Sequence, residues 1–580
     1  MKKSMFLILI LAIITASGRV TPLPSVKADL YFENGVIYTA DAADTVAEAL
    51  AVKDGIIIFV GSAEEGRAYR SGAAEIIDLH GGMLLPGFID GHIHTITFDF
   101  FDFIHFADAN PEQVLKTAAD YIIANPDQDR YFGFGFNVAV FDGEEAVKGP
   151  MKERLDEICP DKPVFIYAMD GHTVWLNSKA FEYSGITADT VSPPGGEIVK
   201  DADGGLWGTV LNTAISLLPD FFPAEEKLKS ALMDFQYMLN SLGYTSIMTI
   251  PAEGYADVPW EGYHDLEQEG LLNLRVRGAA ILRHWNLGVD LYKIQMLSET
   301  YNSGMLKLIG AKVFVDGIIG NETAYLLDQY SSTPGNYGTA NWTRDDLNRA
   351  FATVNQMGLQ VHAHTVGDAA VRMALDAAEY ASNSVPGVDF RNSFTHLMLV
   401  NEADIPRFAE LSIIPIPQTY WHFKQPGAWE PIEYPAIGER AEKLYPLNSF
   451  IQSGANPVFS SDYPSTTVPL PFYAIEIAVT RNLPDAATYG VPYDITDIDD
   501  PRYLLWPEER IEIKDAIRAF TINAAYAIFS EDVTGSLEVG KSADLIVTDQ
   551  DLFSVDPLRI SDTRVLRTYF NGRLVHLMND

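Results

Sequence analysis

Cysteine is almost missing from this chain. A single one, Cys159, stands among 580 residues, so no disulfide forms within the chain and an exported form rests on packing alone. An inert, partly buried thiol is expected at that position. Positive charge is also scarce: 41 Lys and Arg against 79 Asp and Glu leave a formal net charge of −38, which repels phosphate backbones and anionic lipid surfaces and argues against nucleic acid as a partner. Short-period repeats and low-complexity tracts are absent. The longest uncharged apolar run near the start, residues 5–14, falls short of the roughly 20 residues that cross a bilayer.

That run follows Met1-Lys2-Lys3 and precedes Ala16-Ser17-Gly18, the charged, apolar and small-residue order of a secretory signal. Residues 1–28 are read as this signal, with cleavage between about 18 and 28, and the expected location is periplasmic or secreted. No cysteine follows the run, which excludes a lipid anchor there, and no membrane association is expected after cleavage. With 47% hydrophobic residues the mature chain buries a sizeable core.

Short strand patterns broken by turns occupy residues 29–32, 35–38, 49–53 and 55–61, and the same pattern returns at 540–547, 565–571 and 572–575. One small β domain built from residues 29–86 and 535–580 is the economical reading, since strands at both termini need partners. Between them strands and helices alternate, as in a parallel sheet with crossover helices. Strand candidates at 83–94, 245–250, 274–282, 307–315, 359–364, 393–399, 412–417 and 457–461 number eight, and helical patterns at 344–357 and 367–380 fall between them. The expected fold is therefore α/β, a (β/α)8 TIM barrel over residues 87–534. A ninth strand-like run, 164–169, places an inserted subdomain at 98–240, because so long a connection carries structure of its own. The Pro-, Tyr- and Trp-rich loops 421–446 and 463–506 follow the last two strands and are expected to wall a pocket.

His92-Ile93-His94 is the most informative local feature. Two histidines two apart on a strand share a face and can grip one metal ion, and they stand where the first barrel strand ends. Lys312 in the fourth strand, His364 after the fifth, His396 in the sixth and Asp462 after the eighth complete a series that converges in such a barrel. Imidazoles of this number suit zinc or a similar divalent ion, and Asp462 can both ligate and take a proton from metal-activated water. Lys312 cannot bind a cation as an ammonium. As a desolvated neutral amine it can add carbon dioxide, giving a carbamate whose two oxygens bridge two metals. His362 shares a face with His364 and either can ligate; His364 is favoured because it lies nearer the strand's end. Asp368, just beyond Gly367, is expected to cap a helix.

These stretches, with Asp170 to Asn177 around His172 and the closing run Gly535 to Leu545, resemble the amidohydrolase superfamily, specifically amidohydrolase family 3, the branch that includes N-substituted formamide deformylases. The resemblance covers nearly the whole mature chain. It implies that the domain of residues 29–86 and 535–580 is a composite β-sandwich beside the barrel, with a one- or two-metal centre and hydrolysis of carbon–nitrogen bonds other than peptide bonds. By motif, His92 and His94 match the first-strand ligands, Lys312 the carbamylated bridge, His364 and His396 the second metal's ligands, and Asp462 the catalytic acid and base. His172 matches a substrate-contacting or oxyanion-stabilising histidine. His362 departs from the pattern, since many relatives carry an apolar residue there.

The expected function is hydrolysis of an amide or N-substituted formamide by metal-activated water, with a small-molecule substrate and homo-oligomerisation left open. The rivals are a deaminase or cyclic-amide hydrolase on the same centre and, from another class, an exported non-catalytic regulatory or binding protein. A scaffold released from catalysis loses ligands, and none of this series is lost.

Overall fold

The computed structural model describes residues 27–95, 104–106, 110–169, 171–219, 225–251, 258–466 and 469–578. Residues 1–26 of the expected export segment and Asp170 lie outside them.

Seven parallel strands follow one another around the centre in chain order: Phe88–Ile93, Tyr244–Thr249, Arg275–Ile281, Leu306–Phe314, Gln360–Thr365, Ser393–His396 and Ile414–Ile416. The expected eighth strand makes no regular ladder. Residues 458–462 close the ring by single bonds instead: Val458 N–H donates to Pro415 O, Gly91 N–H to Phe459 O and Asp462 N–H to His92 O, at 2.9, 3.0 and 2.9 Å. The result is a (β/α)8-type TIM barrel closed by its last segment.

Side-chain alternation divides the work of each strand. In the fifth, Val361 and Ala363 pack outward against Leu347, Phe351, Ala370 and Ala374 of the helices Arg344–Gln356 and Asp368–Ser384. Its other residues, Gln360, His362 and His364, are turned away from that layer and buried. Ile89, Met248, Ile309, Ile416 and Val458 fill the barrel's lower half, and the helix Ile522–Ala527 packs against them with Ala524, Ala525 and Ala527. The polar residues of interest lie above this apolar plug.

The run 83–94, expected as one strand, divides at Gly87. Met83–Pro86 pairs antiparallel with Leu545–Thr548 and parallel with Val36–Tyr38, in a six-stranded sheet made from both ends of the chain. Phe88–Ile93 then enters the barrel. Gly87 is required at the junction, since a Cβ there would lie 2.3 Å from Thr245 Oγ1. The six-stranded sheet faces a four-stranded one, and Phe32, Leu50, Ile57, Leu84, Leu545 and Val547 fill the space between.

A second six-stranded sheet, built from strands between Ile104 and Asn212, covers one side of the barrel mouth. Its strand Val164–Ala168 reads as an unbroken apolar run because it is buried on both faces. Phe165 and Tyr167 enter one cluster, Val164 and Ile166 another. Cys159 is a buried free thiol in the second cluster, and burial pushes it up from its ordinary value. The helix Glu225–Ser241, which falls in the stretch assigned to the insert, packs Leu232, Phe235 and Leu239 into the main barrel core.

The two segments expected to wall the pocket are tied together by Arg481. Its guanidinium is fully buried and donates to Leu505 O, Tyr445 O and Leu444 O at 3.0, 3.0 and 3.2 Å. Residues 463–506 are more than a loop, for they contain the helix Pro471–Thr480.

Candidate metal centre

His92 and His94 stand at the carboxyl end of the first strand, and Asp462 meets them from the closing segment. Asp462 Oδ1 lies 3.1 Å from His92 Nε2 and 3.0 Å from His94 Nε2. These three form the group, among the described residues, whose ligand atoms lie close enough to share one ion. Asp462 adopts φ +54°, a left-handed backbone that a non-glycine residue takes only where its surroundings hold it. Asp90 lies beneath them: its Oδ1 accepts the N–H groups of His92 and Ser461, both at 3.1 Å, which locks the two segments in register. Burial pushes the Asp90 carboxyl up to about 7.

Lys312, His364 and His396 stand across the same mouth. The ladder aligns Lys312 with His362 and Phe314 with His364. His396 pairs with Thr365, one residue out of step with His364, yet its φ of +74° ends the strand and brings the two rings to 4.4 Å between centroids. Lys312 Nζ is fully buried and sits 4.7 Å from the Phe314 ring centre.

Two of the outer ring nitrogens face an oxygen that accepts. His94 Nδ1 lies 2.8 Å from Ile250 O, which can only accept a proton. His396 Nδ1 lies 2.9 Å from Gln418 Oε1, and the orientation of that amide is set by its Nε2, which donates to Ile416 O, Thr395 Oγ1 and Ser460 Oγ. His364 Nδ1 lies 3.3 Å from Asp316 Oδ1. Ile250 O and Gln418 Oε1 hold the protons of His94 and His396 on Nδ1 and leave each Nε2 as a bare donor toward the mouth. Burial holds His92, His364 and His396 well below the usual imidazole range, and the charge of Lys312 pushes the same way.

Asp462 Oδ1 and His92 Nε2 are both buried with no hydrogen-bond partner, and an anionic oxygen facing the bare His94 nitrogen at 3.0 Å is repulsive unless a cation lies between them. The donor set of two imidazoles and a carboxylate fits a divalent ion of the zinc type. His92, His94 and Asp462 would hold it, with His364 and His396 beside them for a second.

His362 and His364 lie in different surroundings. His362 Nε2 lies 2.6 Å from His92 Nδ1, behind the ligand, whereas His364 lines the open cavity. His172 reaches the same cavity from the covering sheet, its Nδ1 3.0 Å from Asn212 Oδ1 and its ring 6.3 Å from that of His364. Asp368 does not cap its helix: Gly367 occupies that position and the Asp368 carboxylate accepts Leu327 N–H at 2.8 Å, tying down a neighbouring loop.

The cavity measures about 180 Å³ and opens to solvent. Phe134, Met169, Phe314, Ile318, Met398 and Trp421 give it apolar walls. Trp421 stacks parallel to His396 at 6.0 Å.

The model of the Amidohydrolase family matches residues 75–576, which spans the barrel and every residue of this site. The chain belongs to the amidohydrolase family. The N-substituted formamide deformylase of Arthrobacter pascens is 27% identical over 565 residues, covering 94% of this chain and 98% of that protein. Protein LONG AFTER FAR-RED 3 of Arabidopsis thaliana is 28% identical over 578 residues, covering 96% and 93%. Among solved structures, an uncharacterized metal-dependent hydrolase from Pyrococcus horikoshii OT3 superposes with a TM-score of 0.68 at 23% identity over 91% of this chain and 99% of that one, a likeness of fold.

Sequence reading of this amidohydrolase missed Asp316, Gln418 and Ser393, which stand behind the imidazoles. Asp316 accepts the N–H groups of Tyr325, Val366 and Gly367 and contacts His364. Burial pushes its carboxyl up to about 7. A signal was present in its place two residues past a strand that ends at the mouth. Gln418 had a similar one, two residues past the seventh strand.

Proposed function

We propose that this chain hydrolyses carbon–nitrogen bonds other than peptide bonds, taking a small amide or N-substituted formamide as substrate. The observation that carries the reading is the convergence of His92, His94 and Asp462 at the mouth of a barrel, where catalytic groups of this fold gather, opposite His364, His396 and Lys312 across one apolar-walled cavity. A relative named N-substituted formamide deformylase, matched almost end to end, supports the choice of bond. The apolar walls suit an uncharged substituent on nitrogen.

A bound divalent ion, of which zinc fits the donors best, supplies an activated water and polarises the substrate carbonyl. Asp462 takes the proton. With Oδ1 turned toward His92 and His94, its other oxygen accepts the proton of the attacking water and passes it to the leaving nitrogen. The C–N bond breaks as the C–O bond forms, releasing an amine and a carboxylic acid, formic acid when the substrate is a formamide. His172, held by Asn212 at the cavity's edge, is placed to contact the carbonyl end of the substrate. A carbamate formed on the neutral amine of Lys312 from carbon dioxide, with loss of a proton, would join His364 and His396 in holding a second ion.

A panel of N-substituted formamides, simple amides, cyclic amides and aminopurines tests this reading on zinc- or manganese-loaded protein, with formate, amine and ammonia measured separately. Formate with a matching amount of amine is the expected result. Ammonia from aminopurines alone assigns a deaminase instead, and no turnover of any class leaves a binding protein on this scaffold.

A further inference from the structure

We propose that Gln360, Ser393 and His362 form a positioning relay that holds the proton of His92 on Nδ1 and so keeps His92 Nε2 open to a cation. The inference rests on the reading of His92 as a metal ligand. It assigns work to three buried residues that the proposed reaction does not otherwise use.

The direction of the relay is fixed at its far end. Gln360 Nε2 lies 3.0 Å from Ala527 O, a carbonyl that can only accept, so the amide is oriented with Oε1 toward Ser393. Ser393 Oγ donates to that oxygen at 3.3 Å. With its hydrogen spent there, Ser393 Oγ accepts from His362 Nδ1 at 2.8 Å. The proton of His362 is thereby on Nδ1, and its Nε2 is the acceptor for His92 Nδ1–H at 2.6 Å. Every step follows from the one before it. Gln360, Ser393, His362 and His92 are each at most 1% exposed, so solvent offers no competing partner. The ladder sets His362 beside Ser393, and Ala527 belongs to the helix that plugs the barrel floor.

Metal-bound imidazoles commonly donate to a carboxylate or a carbonyl, groups that accept whatever stands behind them. An imidazole in that place is different because it either accepts or donates through Nε2. Without an acceptor for its Nδ1–H, His362 is free to carry the proton on Nε2, where it faces His92 Nδ1. The proton of His92 is then displaced to its own Nε2, the atom that faces Asp462. Metal affinity therefore depends on a serine hydroxyl that touches neither ion nor substrate.

The test uses the full chain and the metal alone, with zinc dissociation measured by chelator competition and cobalt-loaded protein read by its visible spectrum. Ser393→Ala and His362→Leu are expected to weaken zinc binding by about 10- to 100-fold and alter the cobalt spectrum, while Ser393→Thr, which keeps the hydroxyl, stays within about threefold of the parent. Unchanged affinity and spectrum in both weakening variants, with native circular dichroism, overturn the relay. Should those variants not fold, neutron diffraction of the parent decides: a deuteron on His92 Nδ1 upholds the relay and one on Nε2 overturns it. Weakened zinc binding in the variants of a parent that hydrolyses no amide or formamide upholds the relay while overturning the proposed reaction.

Discussion

His92 Nε2 and Asp462 Oδ1 face each other across 3.1 Å, with His94 Nε2 3.0 Å from the same oxygen. Ile250 O behind His94 and, through the proposed relay, His362 behind His92 turn the ring protons away from the carboxylate. The proposed reaction gives Asp462 two tasks, to complete a cation site and to accept a proton. Asp462→Asn keeps an oxygen for the ion but removes the base. Metal content near the parent's is expected, with kcat lowered by about 10²- to 10⁴-fold. Near-parental kcat in the metal-loaded variant contradicts the base role.

Removal of the ion leaves an anion against two lone pairs at the mouth of the barrel. Chelator-treated protein is expected to lose activity and to melt at a lower temperature, and zinc at a thousandfold excess over its dissociation constant to restore about 4 kcal/mol. Differential scanning fluorimetry with and without zinc checks this. A melting temperature indifferent to zinc contradicts it.

Glu476 makes stability depend on pH well away from the metal. It is 1% exposed, its Oε2 accepts Ser561 N–H at 2.7 Å and burial pushes its carboxyl up to about 8. A folded-state value raised above that of the unfolded chain favours the protonated form on folding. This contribution is complete below the unfolded value and is lost as pH rises through about 8. Glu476→Gln, which cannot ionise, is expected to match the parent near the unfolded value and to melt higher than the parent above pH 8. Equal melting temperatures at both ends contradict the assignment.

Arg481 holds the pocket walls. Arg481→Met leaves the carbonyls of Leu444, Tyr445 and Leu505 buried without their donor, at a cost of about 3 kcal/mol or more. A lower melting temperature is expected together with a raised KM, because Trp421, Pro464 and Ser465 belong to the segments that it joins. Unchanged KM in a destabilised variant would confine Arg481 to folding alone.

Much of this was legible because the barrel writes its pattern locally. Alternating strands and helices announced the parallel sheet, and His92, His94, Lys312, His364, His396 and Asp462 each fell at a strand's carboxyl end. What escaped depended on contacts distant in sequence. The division of residues 83–94 follows from Gly87 meeting Thr245, more than 150 positions away. The eighth segment reads as a strand by composition but closes the ring with single bonds. His396 reaches His364 through a left-handed backbone that its side chain does not signal. The role of His362 needed its distance to His92, since both members of a His-x-His pair look alike on a strand.

The central claim, that His92, His94 and Asp462 converge on one cation, is tested most directly by anomalous diffraction from zinc-soaked crystals. The account predicts a peak about 2.0–2.2 Å from His92 Nε2, His94 Nε2 and an oxygen of Asp462. Protein shown to hold zinc, with no peak among those three atoms, would contradict it.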